Sequence, residues 1–162
     1  MSNQIYIGID GGLNGALCAI QNGKILDKIV MPTIKISKSK RDYDILEIIK
    51  FLKKFKNPFV CLEKAQPMPT PGVVQMFHFG RGYGIIIGIL SALGYQYQIV
   101  HAKRWQNFVF KDVDRSDTKA ASVLIAKRLF PNNDFRATER SRKQHDGLTD
   151  ASLICFYGSK NY

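Results

Sequence analysis

Acidic residues are scarce in this chain, with thirteen Asp and Glu against twenty-four Lys and Arg, for a formal net charge of +11 over 162 residues. That balance favours a polyanion as partner, because each phosphate neutralised releases counterions and strengthens binding. A basic ribosome-associated or merely soluble protein is the plain alternative. Long apolar runs are also missing. The longest, residues 85–90, is interrupted by Gly88 and falls far short of the ~20 residues a membrane span needs, so no membrane partner is expected. Residues 5–9 run straight into Asp10 with no basic segment ahead of them, unlike a signal peptide. Cysteine is limited to Cys18, Cys61 and Cys155, far apart and each within an apolar segment. An odd count without metal-type spacing excludes a disulfide framework and predicts buried, reduced thiols in the cytoplasm.

No repeat or low-complexity tract is present. A hydrophobic fraction of 45% with 23% charged residues excludes disorder as the main state, and the length predicts one domain spanning 1–162. Three strands open the chain, over 4–10, 16–20 and 24–31. Ile5, Ile7 and Ile9 alternate, and Asn14-Gly15 and Asn22-Gly23 supply hairpin turns. Residues 33–41 form a basic polar loop. Ile45, Ile48, Ile49, Leu52 and Phe55 fall at helical spacing within a helix over 42–55, which Pro58 stops. A buried strand follows at 59–63 and a proline-rich loop at 66–72. Residues 73–93 read as a helix whose Gly80, Gly82, Gly84 and Gly88 cost ~1 kcal/mol each relative to alanine. They imply close backbone packing or a break near 80–84. A fifth strand at 96–100, a helix at 117–130 capped by Ser116 or Asp117, a polar basic stretch at 132–144 and a last helix at 146–157 complete the chain. Three antiparallel strands followed by strands that alternate with helices predict an α/β fold, a mixed five-stranded sheet flanked by helices.

The chemistry sits in the few acids. Asp10 and Glu63 each end an apolar strand, where ligands gather in α/β sheets. Asp146 and Asp150 are four apart at the start of the last helix, hence on one face, and the helix N-terminus offsets part of their repulsion. Singly, each has a plain reading as turn residue, surface ion pair or helix cap. Together, four acids of thirteen are costly unless a cation neutralises them. Oxygen-only ligands select Mg²⁺ or Mn²⁺ over zinc, and two such ions ~4 Å apart can drive phosphodiester hydrolysis.

The order of these residues is also familiar. "IYIGIDGGLNGAL", "VCLEKAQPMP" and "HDGLTDASLI" resemble the RuvC-type Holliday-junction resolvases of the ribonuclease H-like superfamily. "GVVQMFHFGRGYG", "VHAKRWQ" and "KAASVLIAKRLFP" resemble its phage-encoded branch. The resemblance spans about residues 4–157. It implies a ribonuclease H-like fold and a Mg²⁺-dependent homodimeric endonuclease, without a nucleotide cofactor, that resolves four-way DNA junctions by paired nicks leaving 5′-phosphates. Its place would be the cytoplasm, that of the host cell if phage-encoded. Asp10, Glu63 and Asp150 become core metal ligands. The family often carries its penultimate acid, or a histidine, three residues before the last Asp, where this chain has Gly147; Asp146, four before, stands in. His145 is an accessory candidate, or a solvated or capping residue.

The resemblance directs the helix after Glu63 towards the junction centre. There Met76, Phe77 and Phe79 are candidates for stacking on unpaired bases, or pack in the core or a dimer interface. Arg81, Lys103, Arg104, Lys111, Lys119, Arg140 and Lys143 are candidate DNA contacts. The flexible basic segments 35–41 and 136–143 join them, whereas Lys50, Lys53 and Lys54 read as a solvated helix face. Three rival functions remain open at this stage. An ATP-dependent phosphotransferase shares the Asp-Gly-Gly loop but needs a second phosphate loop that 162 residues do not supply. The others are a non-catalytic junction-binding protein and a nuclease of the same fold acting on RNA–DNA hybrid.

Overall fold

The computed structural model describes residues 3–66 and 72–162, so most of the expected loop at 66–72 lies outside the described residues. Strands β1 (Ile5–Asp10), β2 (Ala16–Gln21) and β3 (Lys24–Val30) form an antiparallel meander. Its second turn follows expectation: Asn22 and Gly23 both take positive φ, 51° and 76°, the geometry a two-residue hairpin loop requires. The first connection is longer than a tight Asn-Gly turn, because Gly15 N–H closes back on Gly12 O at 2.8 Å.

The segment expected as a loop at 33–41 is a hairpin at its ends, β4 (Thr33–Lys35) paired antiparallel with β5 (Arg41–Tyr43). This shortens α1 to Ile45–Leu52, where the Asp44 side chain accepts from Glu47 N–H at 3.1 Å as N-cap. Next come β6 (Phe59–Glu63), α2 (Val73–Ala92) and β7 (Gln96–Val100). Helix α2 does not break at its glycines. Gly82 is where close packing is needed, since a β-carbon there would come within 2.7 Å of Tyr43 Cζ. Gly80, Gly84 and Gly88 have open space around the same position. By length and composition alone α2, at mean hydropathy 1.3, is apolar enough to cross a membrane, a property the search for unbroken runs missed. Here it is tied to the β4–β5 hairpin, with Arg81 bridging Asp42 at 2.8 and 2.6 Å.

An unexpected helix, α3 (Ala102–Val109), follows β7 directly. Its signal is Ala102, Trp105, Phe108 and Val109 at helical spacing, easily lost in eight residues. Helix α4 (Thr118–Leu129) starts where predicted, with Asp117 accepting from the N–H groups of Lys119 and Ala120, both at 3.0 Å. Helix α5 (Asp146–Asn161) runs a further turn beyond the expected end.

The sheet order is β3-β2-β1-β6-β7, with β1, β6 and β7 mutually parallel. It is the mixed five-stranded sheet predicted. Period-2 alternation sends Ile7, Ile9, Val60 and Leu62 into a core with α1 and α2, and Cys18, Cys61 and Val100 into a second core under α3, α4 and α5. Full burial of Ile7 and Ile9 stabilises the fold by about 1.5–3 kcal/mol each. Gly8 lets α5 lie on the sheet, as a β-carbon there would meet the Ala151 carbonyl and stand 2.7 Å from Cys155 Cβ. All three cysteines are buried and free, as expected.

Candidate active site

The parallel register of β1 and β6 brings two acids together. Gly8 pairs with Cys61 and Ile9 with Leu62, so the next residues, Asp10 and Glu63, end their strands side by side on the α5 face. The second pair arrives with α5, which docks by its first turn. Gly147 sits on the Asn14–Gly15 backbone so tightly that a β-carbon would lie 2.6 Å from Asn14 O. The backbone there leaves no room for an acidic side chain at 147. Asp146, one position earlier, points outward; about half exposed, it pairs with Lys119 at 2.8 Å. Asp150, one turn deeper, points inward.

Burial pushes the Asp10 carboxyl from 3.8 up to about 7, with Glu63 and more weakly Asp146 adding repulsion against a stabilising bond from Gly12 N–H. Burial likewise raises Asp150 to about 7; the Ser122 hydroxyl opposes the rise, and the charges of Asp10 and Asp146 reinforce it. Glu63 is raised by burial, restrained by its bond from Trp105 and pushed further by Asp150. The four predicted acids therefore act on one another electrostatically, three of them in a half-buried pit. A crevice of about 290 Å³ opens beside Asp10 and Glu63, lined also by Gly11, Gly12, Phe79 and Tyr83 among others, with neither Asp146 nor Asp150 in its wall.

Asp150 Oδ1 is buried with no hydrogen-bond partner, and a buried carboxylate oxygen left bare is costly. This orphaned oxygen, beside Asp10 and Glu63, is what a hard cation would satisfy, and the all-oxygen donor set suits Mg²⁺ or Mn²⁺. Among the described residues no three metal-ligating side chains close on a single point, and of the three buried acids only Asp10 and Glu63 line the crevice. The donor chemistry and the orphaned oxygen nevertheless fit a hard cation, with Asp10, Glu63 and Asp150 the residues to hold it.

Several further groups contact the acids or the segments that carry them. His145 is the N-cap of α5, its Nδ1 accepting from Leu148 N–H at 3.3 Å; burial lowers its pKa. Residues that sequence reasoning passed over are Trp105, whose Nε1–H donates to Glu63 Oε1 at 2.9 Å, and Tyr43, whose hydroxyl donates to Gly11 O at 2.9 Å. Ser122 against Asp150 completes the group, while Arg41, from the segment 35–41 expected to contact DNA, bonds to Asn14. Each is an ordinary core or loop residue by pattern, and only the three-dimensional register brings it to the acids.

The predicted DNA contacts are scattered. Lys103 and Arg104 are exposed on α3, and Arg140 and Lys143 are exposed in the loop before α5. Lys111 Nζ lies 5.7 Å from the Phe108 ring centroid. Lys119 is engaged with Asp146, and Arg81 is engaged twice with Asp42. Of the three candidate stacking residues, Phe77 is 67% exposed, Met76 is half-buried, and Phe79 reaches the acidic crevice. None of the three is in the buried core.

No known protein-family profile and no curated protein matches the chain. Solved structures do resemble it. Thermus thermophilus RuvC in complex with Holliday junction substrate superposes with a TM-score of 0.65 at 14% identity, over 96% of this chain and 92% of that one. Thermus thermophilus RuvC on its own gives 0.66 at 15% identity, over 96% and 93%. The yeast mitochondrial Holliday junction resolvase Ydc2 gives 0.62 at 14% identity, over 96% and 77%. The fold is therefore ribonuclease H-like and shared with these resolvases, as the motifs implied.

Proposed function

We propose that this chain is a divalent-cation-dependent endonuclease that resolves four-way and other branched DNA. The observation that carries the reading is the gathering of Asp10, Glu63 and Asp150 from β1, β6 and α5 around a buried, unpartnered oxygen of Asp150. Asp10, Glu63 and Asp150 would hold Mg²⁺, or Mn²⁺ in its place, with Asp146 at the rim. Two ions held there would supply an activated water and stabilise the leaving oxygen of the scissile phosphodiester. The chain's own residues do the rest. The carboxylates are buried enough to be neutralised by the cation, the Gly12 N–H orients Asp10, and the net charge of +11 draws the DNA backbone in.

The branched substrate is favoured by the fold shared with RuvC and Ydc2, one of them complexed with a Holliday junction. On that reading the whole chain is one nuclease domain acting as a homodimer, so that two sites nick opposed strands. The likeness of the motifs at 72–84 and 100–106 to phage-encoded resolvases supports a phage-encoded origin, and the three buried, free cysteines support a cytoplasmic site of action. The test is to incubate purified protein and Mg²⁺ with a synthetic four-way junction, a matched linear duplex and an RNA–DNA hybrid. Junction-selective paired nicking is expected. Cleavage of the hybrid with the junction left intact would replace this reading with a ribonuclease activity, and tight junction binding without any cleavage would leave only a scaffold.

A further inference from the structure

We infer that Trp105 is a positioning residue for Glu63: its indole N–H holds one carboxylate oxygen so that the other is presented to a divalent cation in the crevice. The inference rests on the cation-dependent reading above. The parallel register makes the arrangement. Glu63 pairs with Val100 at the ends of β6 and β7, Lys64 N–H continues that ladder to Val100 O at 2.8 Å, and α3 begins two residues after Val100. The first turn of α3 carries Trp105 back over the strand ends. Its ring is 1% exposed and is locked edge-on against Phe110, with centroids 5.8 Å apart and planes at 71°.

A buried indole N–H needs an acceptor. Here the acceptor is a carboxylate that the reading above makes a ligand, and the bond engages Oε1 alone. A carboxylate on a strand end rotates freely about its last torsion. Fixing one oxygen removes that freedom before a cation arrives, as outer-shell hydrogen bonds do for metal ligands elsewhere, with losses of 10–100-fold in affinity or activity when they are removed.

Trp105 is the chain's one tryptophan, so it also reports on its partner. Adding Mg²⁺ to the DNA-free protein changes the charge felt across the Trp105–Glu63 bond, and tryptophan emission is expected to shift with a saturable dependence. Glu63→Gln, which keeps a carbonyl acceptor but loses the charge, should abolish the shift. Trp105→Phe keeps an aromatic body without the N–H. Mn²⁺ binding followed by electron paramagnetic resonance is expected to weaken about tenfold or more in that variant, with cleavage recovered at high Mg²⁺. Two results would overturn the proposal while sparing the nuclease reading: Mn²⁺ binding by the wild type with no emission change, or equal Mn²⁺ affinity in Trp105→Phe. Absence of any Mn²⁺ binding by the wild type would remove both.

Discussion

Gly147 rests against Asn14 so closely that a β-carbon at 147 would stand 2.6 Å from the Asn14 carbonyl oxygen. That contact joins the β1–β2 loop, which follows directly on Asp10, to the helix that carries Asp150. Gly147→Ala is expected to lever the start of α5 off the loop, destabilising by about 1–3 kcal/mol as overpacked sites do. Junction cleavage should fall more steeply than thermal stability. Gly147→Asp should behave likewise and gain no cation affinity. Unchanged cleavage by Gly147→Ala would show that the docking does not position the site.

The buried acids make a pH prediction for the cation-free protein. Asp10 and Asp150 have folded-state pKa values near 7, against 3.8 ordinarily. Below 3.8 both are protonated, folded or unfolded, and there is no penalty. As pH rises from about 4 to about 7 the unfolded chain gives up these protons more readily, so stability falls and then levels off. Asp10→Asn should therefore melt higher than wild type at pH 8, and Mg²⁺ should raise the wild-type melting temperature there but act less on the variant. Melting curves across pH, with and without Mg²⁺, check the sign.

Tyr43 ties the hairpin to the loop that follows Asp10 through its bond to Gly11 O. Tyr43→Phe is expected to lose about 0.5–1.5 kcal/mol of stability and to slow cleavage, leaving junction affinity unchanged. A matching loss of affinity would place the hydroxyl on the DNA instead.

The fold was more legible than the site's supports. Alternating isoleucines, the Asn22-Gly23 turn and the Asp117 cap are local signals, and the elements they mark lie where expected. Hairpin β4–β5 and helix α3 are too short for a periodic pattern to emerge, and the glycines of α2 suggested a break because three of them simply face open space. Among the site residues, Asp10 and Glu63 were visible as acids ending apolar strands. Trp105 and Tyr43 were not, since an aromatic residue shows its apolar body in sequence and its hydrogen bond only in space.

The basic side chains divide by engagement. Lys103 and Lys143 are exposed and make no ion pair among the described residues, whereas Arg81 bridges Asp42. Lys103→Ala and Lys143→Ala should each reduce the slope of log affinity against log salt by about 1. Arg81→Ala should leave that slope near the wild-type value, because its charge is already matched. Junction-binding titrations over a range of salt separate the two groups.

The account stands on cations binding where three remote acids meet. Anomalous scattering from a crystal soaked in Mn²⁺ addresses this directly. A strong peak is expected within ligating distance of Asp10, Glu63 and Asp150, contacting the otherwise bare Asp150 oxygen. A fully occupied crystal with Mn²⁺ bound elsewhere and none at these carboxylates would contradict it.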